Sequence, residues 1–200
     1  VVVKPFNGNH GRGVTLNVED DAQIEVAVGL AKEHARTLVV ESMISGFDHR
    51  MLVIDGELIA VAKRVPGHVV GDGESTIKVL VDGVNSDPRR GIGHEKVLTR
   101  IEFDHQAERL LAAAGYNQDT VLQKGEIFYL RSTGNLSTGG TAIDMTDEVH
   151  PDNRQMARRA AKAIGLDVAG VDFITPDVTR SYREIGGAIC EINAAPGFRM

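Results

Sequence analysis

A hairpin signal near residue 55 constrains the fold more than any other feature of the sequence. Asp55-Gly56 separates two apolar, β-branched segments, Arg50 to Ile54 and Glu57 to Ala62. Both central residues of a type I′ turn need a positive φ, and Asp-Gly adopts that conformation readily. The two segments therefore predict neighbouring antiparallel strands, and the fold must contain the sheet that they begin.

Strands and helices interleave along the rest of the chain. Apolar and β-branched runs predict strands at residues 1–5, 14–18, 37–41, 125–131, 169–174 and 183–192. Amphipathic patterns predict helices at residues 20–35, 75–84, 105–111 and 152–164. This mixture, with its hairpins, predicts the α+β class: an antiparallel or mixed sheet with helices on one side.

Particular residues are expected to set the helix ends. Asp72 and Ser75 precede the second predicted helix, where their side-chain oxygens can accept hydrogen bonds from free backbone N–H groups. Gly115 and Gly165 follow predicted helices and suit the left-handed conformation that ends them.

Charge and cysteine content exclude several classes of partner. The chain has 22 Lys and Arg against 28 Asp and Glu, a net charge of -6, with no run of like charges. That balance argues against nucleic acid and against a basic membrane-surface segment. Cys190 has no partner for an internal disulfide, and neither a leader nor a long apolar stretch occurs, so a cytoplasmic location without a membrane partner is expected. An apolar start and the lack of a polar tail predict a piece of a longer protein.

Common catalytic and nucleotide motifs are missing from the sequence. No glycine precedes Lys-Ser or Lys-Thr, and no Gly-x-Gly pair continues as a dinucleotide fingerprint. His-Glu-x-x-His and Gly-x-Ser-x-Gly elements do not occur either. The sequence therefore disfavours P-loop and Rossmann proteins, zinc proteases and serine hydrolases.

The segment after the first strand could bind phosphate. Lys4 ends the strand, and Gly8, Gly11 and Gly13 make the following loop flexible enough to approach a polyphosphate with its backbone N–H groups. His10 lies in that loop and could exchange a proton near neutral pH. A solvated glycine turn explains the same residues equally well.

A second candidate segment joins the strand at residues 37–41 to the hairpin. Glu41 ends the strand, and Asp48 follows across a loop that contains Ile44. Asp48 could accept hydrogen bonds from ribose hydroxyls while the backbone at the strand end binds a base edge. Taken alone, the segment is better explained as a surface loop with two solvated carboxylates.

Three oxygen-bearing side chains near the C-terminal end predict a metal site. Glu191 and Asn193 are two residues apart on one strand, so they share a face, and Asp172 lies on the preceding strand. Carboxylate and amide oxygens suit Mg²⁺. A half-exposed sheet face is the alternative, but Asp172 interrupts an apolar run, where an unpaired carboxylate is costly.

Arginines and a second glycine-rich segment complete the set of candidates. Arg50, Arg64 and Arg131 could bind carboxylate or phosphate, whereas Arg89-Arg90 is expected to be a solvated basic pair. Residues 134–140, hereafter the Gly-rich loop, include Ser137 and could hold an oxyanion or could be a mobile connection.

In this order, the motifs resemble those of ATP-grasp carboxylate-amine ligases. Within that group the resemblance is to the cyanophycin synthetases and spans residues 1–200. It is carried by the segments at residues 7–14, 48–50, 69–73, 87–91 and 135–144. The resemblance implies an ATP-grasp fold with subdomain regions at about residues 1–45 and 46–200. ATP-grasp folds normally include an earlier small domain, so we expect the N-terminal part of the fold to be missing.

The resemblance also implies a reaction. Such enzymes use ATP and Mg²⁺ to phosphorylate the C-terminal carboxylate of a polyaspartate backbone, and the amine of L-aspartate then displaces phosphate from the acyl phosphate. The implied partners are ATP, L-aspartate and a cyanophycin-like polypeptide primer, with a homo-oligomer expected for the full-length protein.

Individual roles follow from the matching positions. Lys4 resembles the phosphate-binding lysine, Glu41 and Ile44 lie in the adenine hinge, and Asp48 resembles the ribose acceptor. Asp172, Glu191 and Asn193 resemble the Mg²⁺ ligands. The residues that resemble those holding the primer carboxylate and handling the amine's proton are Arg50, Ser137 and His10.

Two other functions stay open. A related peptide ligase, such as the glutathione-synthetase half of a bifunctional enzyme or a glutamate-tail ligase, would share the chemistry but not the substrate. A nucleotide-binding fragment without catalysis is the third reading. It would predict a missing metal ligand, and all three candidate ligands are present in the sequence.

Overall fold

The computed structural model describes residues 1–7, 12–93 and 95–197. The chain divides into two compact units, Val1–Ser45 and Gly46–Met200. Four residues of the predicted phosphate loop, Gly8, Asn9, His10 and Gly11, lie outside the described residues. Among the described residues, no helix is long and apolar enough to cross a membrane.

The first unit packs one helix on a two-stranded sheet. Strands β1 (Val2–Pro5) and β2 (Leu38–Glu41) pair antiparallel, and helix α1 (Asp21–Lys32) lies between them in the chain. Asp20 caps α1 by accepting a hydrogen bond of 2.8 Å from the backbone N–H of Gln23. The strand expected at residues 14–18 is reduced to a single bridge at Thr15. The buried core of this unit consists of Val3, Val18, Ala27 and Ala31.

The second unit contains the remaining elements. In chain order these are β3 (Phe47–Ile54), β4 (Glu57–Val65), β5 (His68–Val70), α2 (Ile77–Asn85), β6 (Arg90–Gly91), β7 (Leu98–Thr99), α3 (His105–Ala113), β8 (Ile127–Tyr129), a 3₁₀ turn (Leu136–Thr138), β9 (Thr141–Asp144), α4 (Pro151–Ile164), β10 (Val168–Thr175), α5 (Tyr182–Ile185) and β11 (Ala188–Asn193).

An antiparallel five-stranded sheet is the frame of this unit. Its strand order is β11-β10-β3-β4-β9, so β10 is inserted beside the hairpin of β3 and β4. Asp55 and Gly56 have φ values of 49° and 75°, which confirms the predicted turn. Alternate side chains such as Met51, Val171 and Phe173 are fully buried and form the hydrophobic core with α4. The opposite face of the sheet carries charged side chains.

The segment of residues 66–140, which connects β4 to β9 in the chain, contains a second hydrophobic cluster. Here β5 pairs antiparallel with β8, and β6 pairs parallel with β7. Asp104 caps α3 through the backbone N–H of Ala107 at 3.0 Å. Gly115 has the predicted left-handed φ of 73° just after that helix. The buried members of this cluster are Val69, Ile77, Val81, Ile101, Ala107, Leu111, Leu122 and Leu130.

Two predicted boundaries are wrong for local reasons. The strand expected at residues 183–192 begins at Ala188, because α5 and two glycines with φ of 83° and 142° precede it. Helix α2 is capped by Thr76, not by Asp72 or Ser75. Asp72 instead accepts hydrogen bonds from the backbone of Glu74 and Ser75, which shapes the turn before the cap.

The assignment of the cap gives a stability prediction. Thr76→Ala removes the oxygen that accepts from Val79 N–H and should lower the free energy of unfolding by about 1 kcal/mol. Thr76→Ser keeps that oxygen and should stay close to wild type. Urea unfolding of the three proteins measures the difference, and an equal loss in both variants would contradict the capping role.

Candidate functional site

A row of charged side chains crosses one face of the five-stranded sheet. Asp172 is the direct partner of Arg50 on β3 and of Glu191 on β11. Directly opposed residues in an antiparallel sheet share a face, and Asn193 shares it because it lies two residues beyond Glu191. The structure therefore brings the three predicted metal ligands together beside Arg50.

Asp172 is buried and ion-paired. It is only 6% exposed, and its Oδ1 accepts from Arg50 Nε at 2.5 Å. Its Oδ2 lies 3.3 Å from Arg50 Nη2 and 3.0 Å from Arg64 Nη2. A carboxylate removed from water needs such compensation, because an isolated buried charge is strongly unfavourable. Arg50 and Arg64 therefore explain how an aspartate is accommodated within the apolar run of β10.

Arg64 links two carboxylates on neighbouring strands. Its Nη2 lies 2.5 Å from Asp48 Oδ2 as well as 3.0 Å from Asp172 Oδ2. Burial works against the charged guanidinium, but the hydrogen bonds and charges of Asp48 and Asp172 outweigh it and raise the pKa of Arg64. Asp48, Arg50, Arg64 and Asp172 thus form one connected group, hereafter the charged cluster.

Gly170 provides the space that Arg50 needs. A Cβ atom at this position would lie 2.6 Å from Pro196 Cβ and 3.2 Å from Arg50 Nη1. Any larger residue at position 170 would therefore displace Pro196 or the guanidinium of Arg50. The glycine lets Arg50 lie across the strand and reach Asp172 with two of its nitrogens.

The donor atoms beside the charged cluster fit a hard divalent cation. Glu191 is exposed, and its Oε1 accepts from Asn193 Nδ2 at 2.8 Å. Mg²⁺ takes carboxylate and amide oxygens and keeps several waters, so two carboxylates and one amide are an adequate protein contribution. Within the described ranges, no cluster of three or more His, Cys, Asp or Glu is placed to hold a metal. Asp172 would have to share its oxygens with the two arginines.

The Gly-rich loop adjoins the charged cluster. A Cβ on Gly134 would lie 2.6 Å from the Cβ of Arg64, so the loop begins directly against that arginine. The carbonyl of Asn135 accepts hydrogen bonds of 3.1 Å from the backbone of Thr138 and of Gly140. Ser137 is exposed on the resulting 3₁₀ turn.

Arg131 is buried behind this loop. It is 3% exposed, and its guanidinium donates to the carbonyls of Leu130 at 2.8 Å and Glu102 at 3.0 Å. Asp104 Oδ1 lies 3.2 Å from Nη1. These contacts hold the chain on either side of α3 and β8. They place Arg131, a candidate for binding carboxylate or phosphate, among backbone groups.

Arg89 and Arg90 have different environments. Arg89 is exposed and pairs with Asp87 at 2.7 Å, as expected for a solvated basic residue. The prediction is wrong for Arg90, which is 6% exposed and donates from Nη1 to the carbonyls of Thr99 and Gly139. A local Pro-Arg-Arg sequence contains no signal for this burial, since both acceptors are backbone groups from distant segments.

Two residues of the first unit that are predicted to bind nucleotide are in contact with each other. Lys4 Nζ forms an ion pair with Glu41 Oε1, because the two residues are diagonal neighbours on β1 and β2. Their side chains are 32% and 46% exposed, so both remain accessible. Ile44 is half-buried just beyond β2. Gly13 has a φ of 70°, and a Cβ there would lie 2.6 Å from the His34 ring.

Comparison with known proteins shows which folds and sequences this chain resembles. Residues 120–200 match the RimK-like ATP-grasp domain. A crystal structure of a bifunctional glutathione synthetase from Pasteurella multocida superposes on all of this chain with a TM-score of 0.70 and 33% identity, and the match covers 28% of that chain. The fold is that of an ATP-grasp domain, as the sequence predicts.

Two kinds of relative match over the full chain. Cyanophycin synthetase from Trichormus variabilis is 53% identical over 200 residues, which is all of this chain and 22% of the relative. The glutathione biosynthesis bifunctional protein of Desulfotalea psychrophila is 34% identical over 202 residues and is covered to 26%. The resemblance to cyanophycin synthetases is therefore confirmed, and the chain spans about a quarter or less of these relatives' length.

Removing one member of the charged cluster should destabilise the sheet. Asp172→Asn leaves Arg50 and Arg64 without a buried counter-charge and should lower the free energy of unfolding by about 3 kcal/mol. Asp87→Asn makes the same chemical change at the exposed ion pair with Arg89, so little loss is expected. Urea unfolding tests the pair, and similar effects in the two variants would contradict the role assigned to Asp172.

Proposed function

We propose that this chain is part of an ATP-dependent carboxylate-amine ligase that adds L-aspartate to a cyanophycin-like polyaspartate primer. The observation that carries the proposal is the charged cluster, which lies beside Glu191 and Asn193 on one sheet face. Identity favours the substrate class, since it is 53% to a cyanophycin synthetase and 34% to a glutathione-forming relative.

The proposed reaction has two balanced steps. A carboxylate oxygen of the primer attacks the γ-phosphorus of ATP, the bond to the bridging oxygen breaks, and ADP leaves. The ammonium group of aspartate first loses a proton. The resulting neutral amine attacks the carbonyl carbon of the acyl phosphate, its nitrogen loses a second proton, and phosphate leaves as the amide forms. Both steps concentrate negative charge, so fixed cations and oriented donors contribute more than a covalent protein intermediate.

Arg50 is the residue that we assign to the primer carboxylate. Its Nε and Nη2 point to Asp172, which fixes the guanidinium plane. Among the described residues no hydrogen-bond acceptor is found for Nη1, so we assign that nitrogen to the primer. An oriented guanidinium can bind a carboxylate or stabilise the oxyanion of the tetrahedral intermediate without reorganising. We assign Ser137 on the Gly-rich loop and His10 to the same part of the reaction. Arg131 is buried and donates to backbone carbonyls, so its proposed contribution is to hold the chain behind the loop.

The nucleotide and metal roles follow the family pattern. We assign phosphate binding to Lys4 with Gly8, Gly11 and Gly13, the adenine hinge to Glu41 and Ile44, and ribose binding to Asp48. Mg²⁺, when bound, would neutralise phosphate charge. The residues that would hold it are Asp172, Glu191 and Asn193.

Glutathione-type ligation is the competing function, because the superposed structure is of a bifunctional glutathione synthetase. ADP release by the full-length protein separates the two. We expect release with Mg²⁺, aspartate and a cyanophycin-like primer, and none with γ-glutamylcysteine and glycine. Release with only the second pair would overturn the substrate assignment while keeping the ligase chemistry.

Removing the charge of Glu191 tests the metal assignment. Glu191→Gln keeps the size of an exposed side chain and should abolish Mg²⁺-dependent ADP release without changing the fold, because an amide is a far weaker ligand than a carboxylate. Glu184→Gln, at another exposed glutamate, is the matched control. Wild-type turnover in Glu191→Gln would refute the assignment.

The proposed ribose contact predicts a defect in binding. Asp48→Ala should weaken ATP binding about tenfold, the effect of losing one charge-assisted hydrogen bond of ~1.5 kcal/mol. The dependence of ADP release on Mg²⁺ concentration should change little in this variant. Asp82→Ala removes an exposed carboxylate on α2 and serves as the control. Unchanged ATP affinity in Asp48→Ala, measured by calorimetry, would count against the ribose role.

A further inference from the structure

Arg90 is a buried charge that the proposed reaction does not use directly. It lies on the short strand β6, and its Nη1 donates to Thr99 O at 2.6 Å and to Gly139 O at 2.9 Å. The first acceptor is on neighbouring β7, whereas the second is 49 residues away in the Gly-rich loop. One guanidinium nitrogen thus ties the loop to strands β6 and β7.

The burial of a charged arginine at this position needs a compensating interaction. Burial lowers the pKa of Arg90, and the nearby charge of Asp87 only partly opposes that effect. Arg89 occupies the oxygens of Asp87, and the two hydrogen bonds reported for Arg90 go to carbonyls. Hydrogen bonds from a charged donor to buried carbonyls are stronger than neutral ones, which offsets the cost of desolvation.

The acceptor in the loop is held from a second side as well. Gly139 has a φ of 95°, and a Cβ there would lie 2.9 Å from Ile101 Cγ1. At its other end the loop begins at Gly134, against Arg64 of the charged cluster. The loop therefore runs from the charged cluster to the Arg90 anchor, with Ser137 exposed between them.

We propose that Arg90 is a positioning residue that fixes the Gly-rich loop beside the charged cluster so that the loop can bind the carboxylate-bearing primer. This inference rests on the proposed function. Arg90 itself does not contact substrate. Its effect is to hold Gly139, which keeps the turn containing Ser137 in a single place relative to Arg64.

Arg90→Met tests the proposal, because it removes the donors and keeps much of the apolar side chain. In the full-length protein we expect amide exchange in residues 134–140 to rise at least tenfold while exchange in α3 stays unchanged. KM for the primer should rise about tenfold, with KM for ATP at the wild-type value. Arg89→Met, at the exposed neighbour, should change neither quantity.

Gly139→Ala disturbs the same contact from the loop side and keeps the test valid if Arg90→Met does not fold. Its methyl group would meet Ile101, so the same selective rise in primer KM is expected. Unchanged loop exchange in Arg90→Met, or equal increases in the loop and in α3, would overturn the proposal. If even the wild type releases no ADP, the proposed function fails, and loop exchange still decides whether Arg90 anchors the loop.

Discussion

The ion pairs of Asp172 are the interaction on which the sheet face depends. A carboxylate in the middle of β10 would oppose folding if it were alone, but Arg50 and Arg64 reach it from the two adjacent strands of the hairpin. This arrangement satisfies a buried charge and orients two guanidinium groups at once. The same interaction therefore contributes to stability and fixes the direction of both guanidinium groups.

The fold supplies this geometry through strand register. The tight turn at Asp55-Gly56 sets the pairing of β3 with β4, and β10 then adds beside β3 so that Arg50 lies opposite Asp172. A shift of one residue would move the charged side chains into the core against α4. The alternation of buried and charged positions thus fixes which face packs and which face stays open for chemistry.

Much of this arrangement is predictable from local sequence. The hairpin, the apolar run around Asp172 and the two-residue spacing of Glu191 and Asn193 are local patterns, and each appears in the structure as expected. The partners of Asp172 are not predictable in this way, because Arg50 is 122 residues away and only the strand order brings it near.

Burial of single polar residues is also beyond local reasoning. Arg90 has the same local sequence character as Arg89, but its acceptors are carbonyls supplied by tertiary packing. The local sequence also does not predict β5, β6, β7 and β9. Strands β6 and β7 have two residues each, which is too few to show a period.

The proposed function requires that a primer carboxylate become an acyl phosphate on the full-length protein. The most direct measurement uses a cyanophycin-like primer whose C-terminal carboxylate carries isotopically labelled oxygen, with ATP, Mg²⁺ and aspartate, and analyses the released phosphate by mass spectrometry. The mechanism predicts that one labelled oxygen appears in each phosphate formed during ligation. Unlabelled phosphate accompanying peptide-bond formation would contradict it.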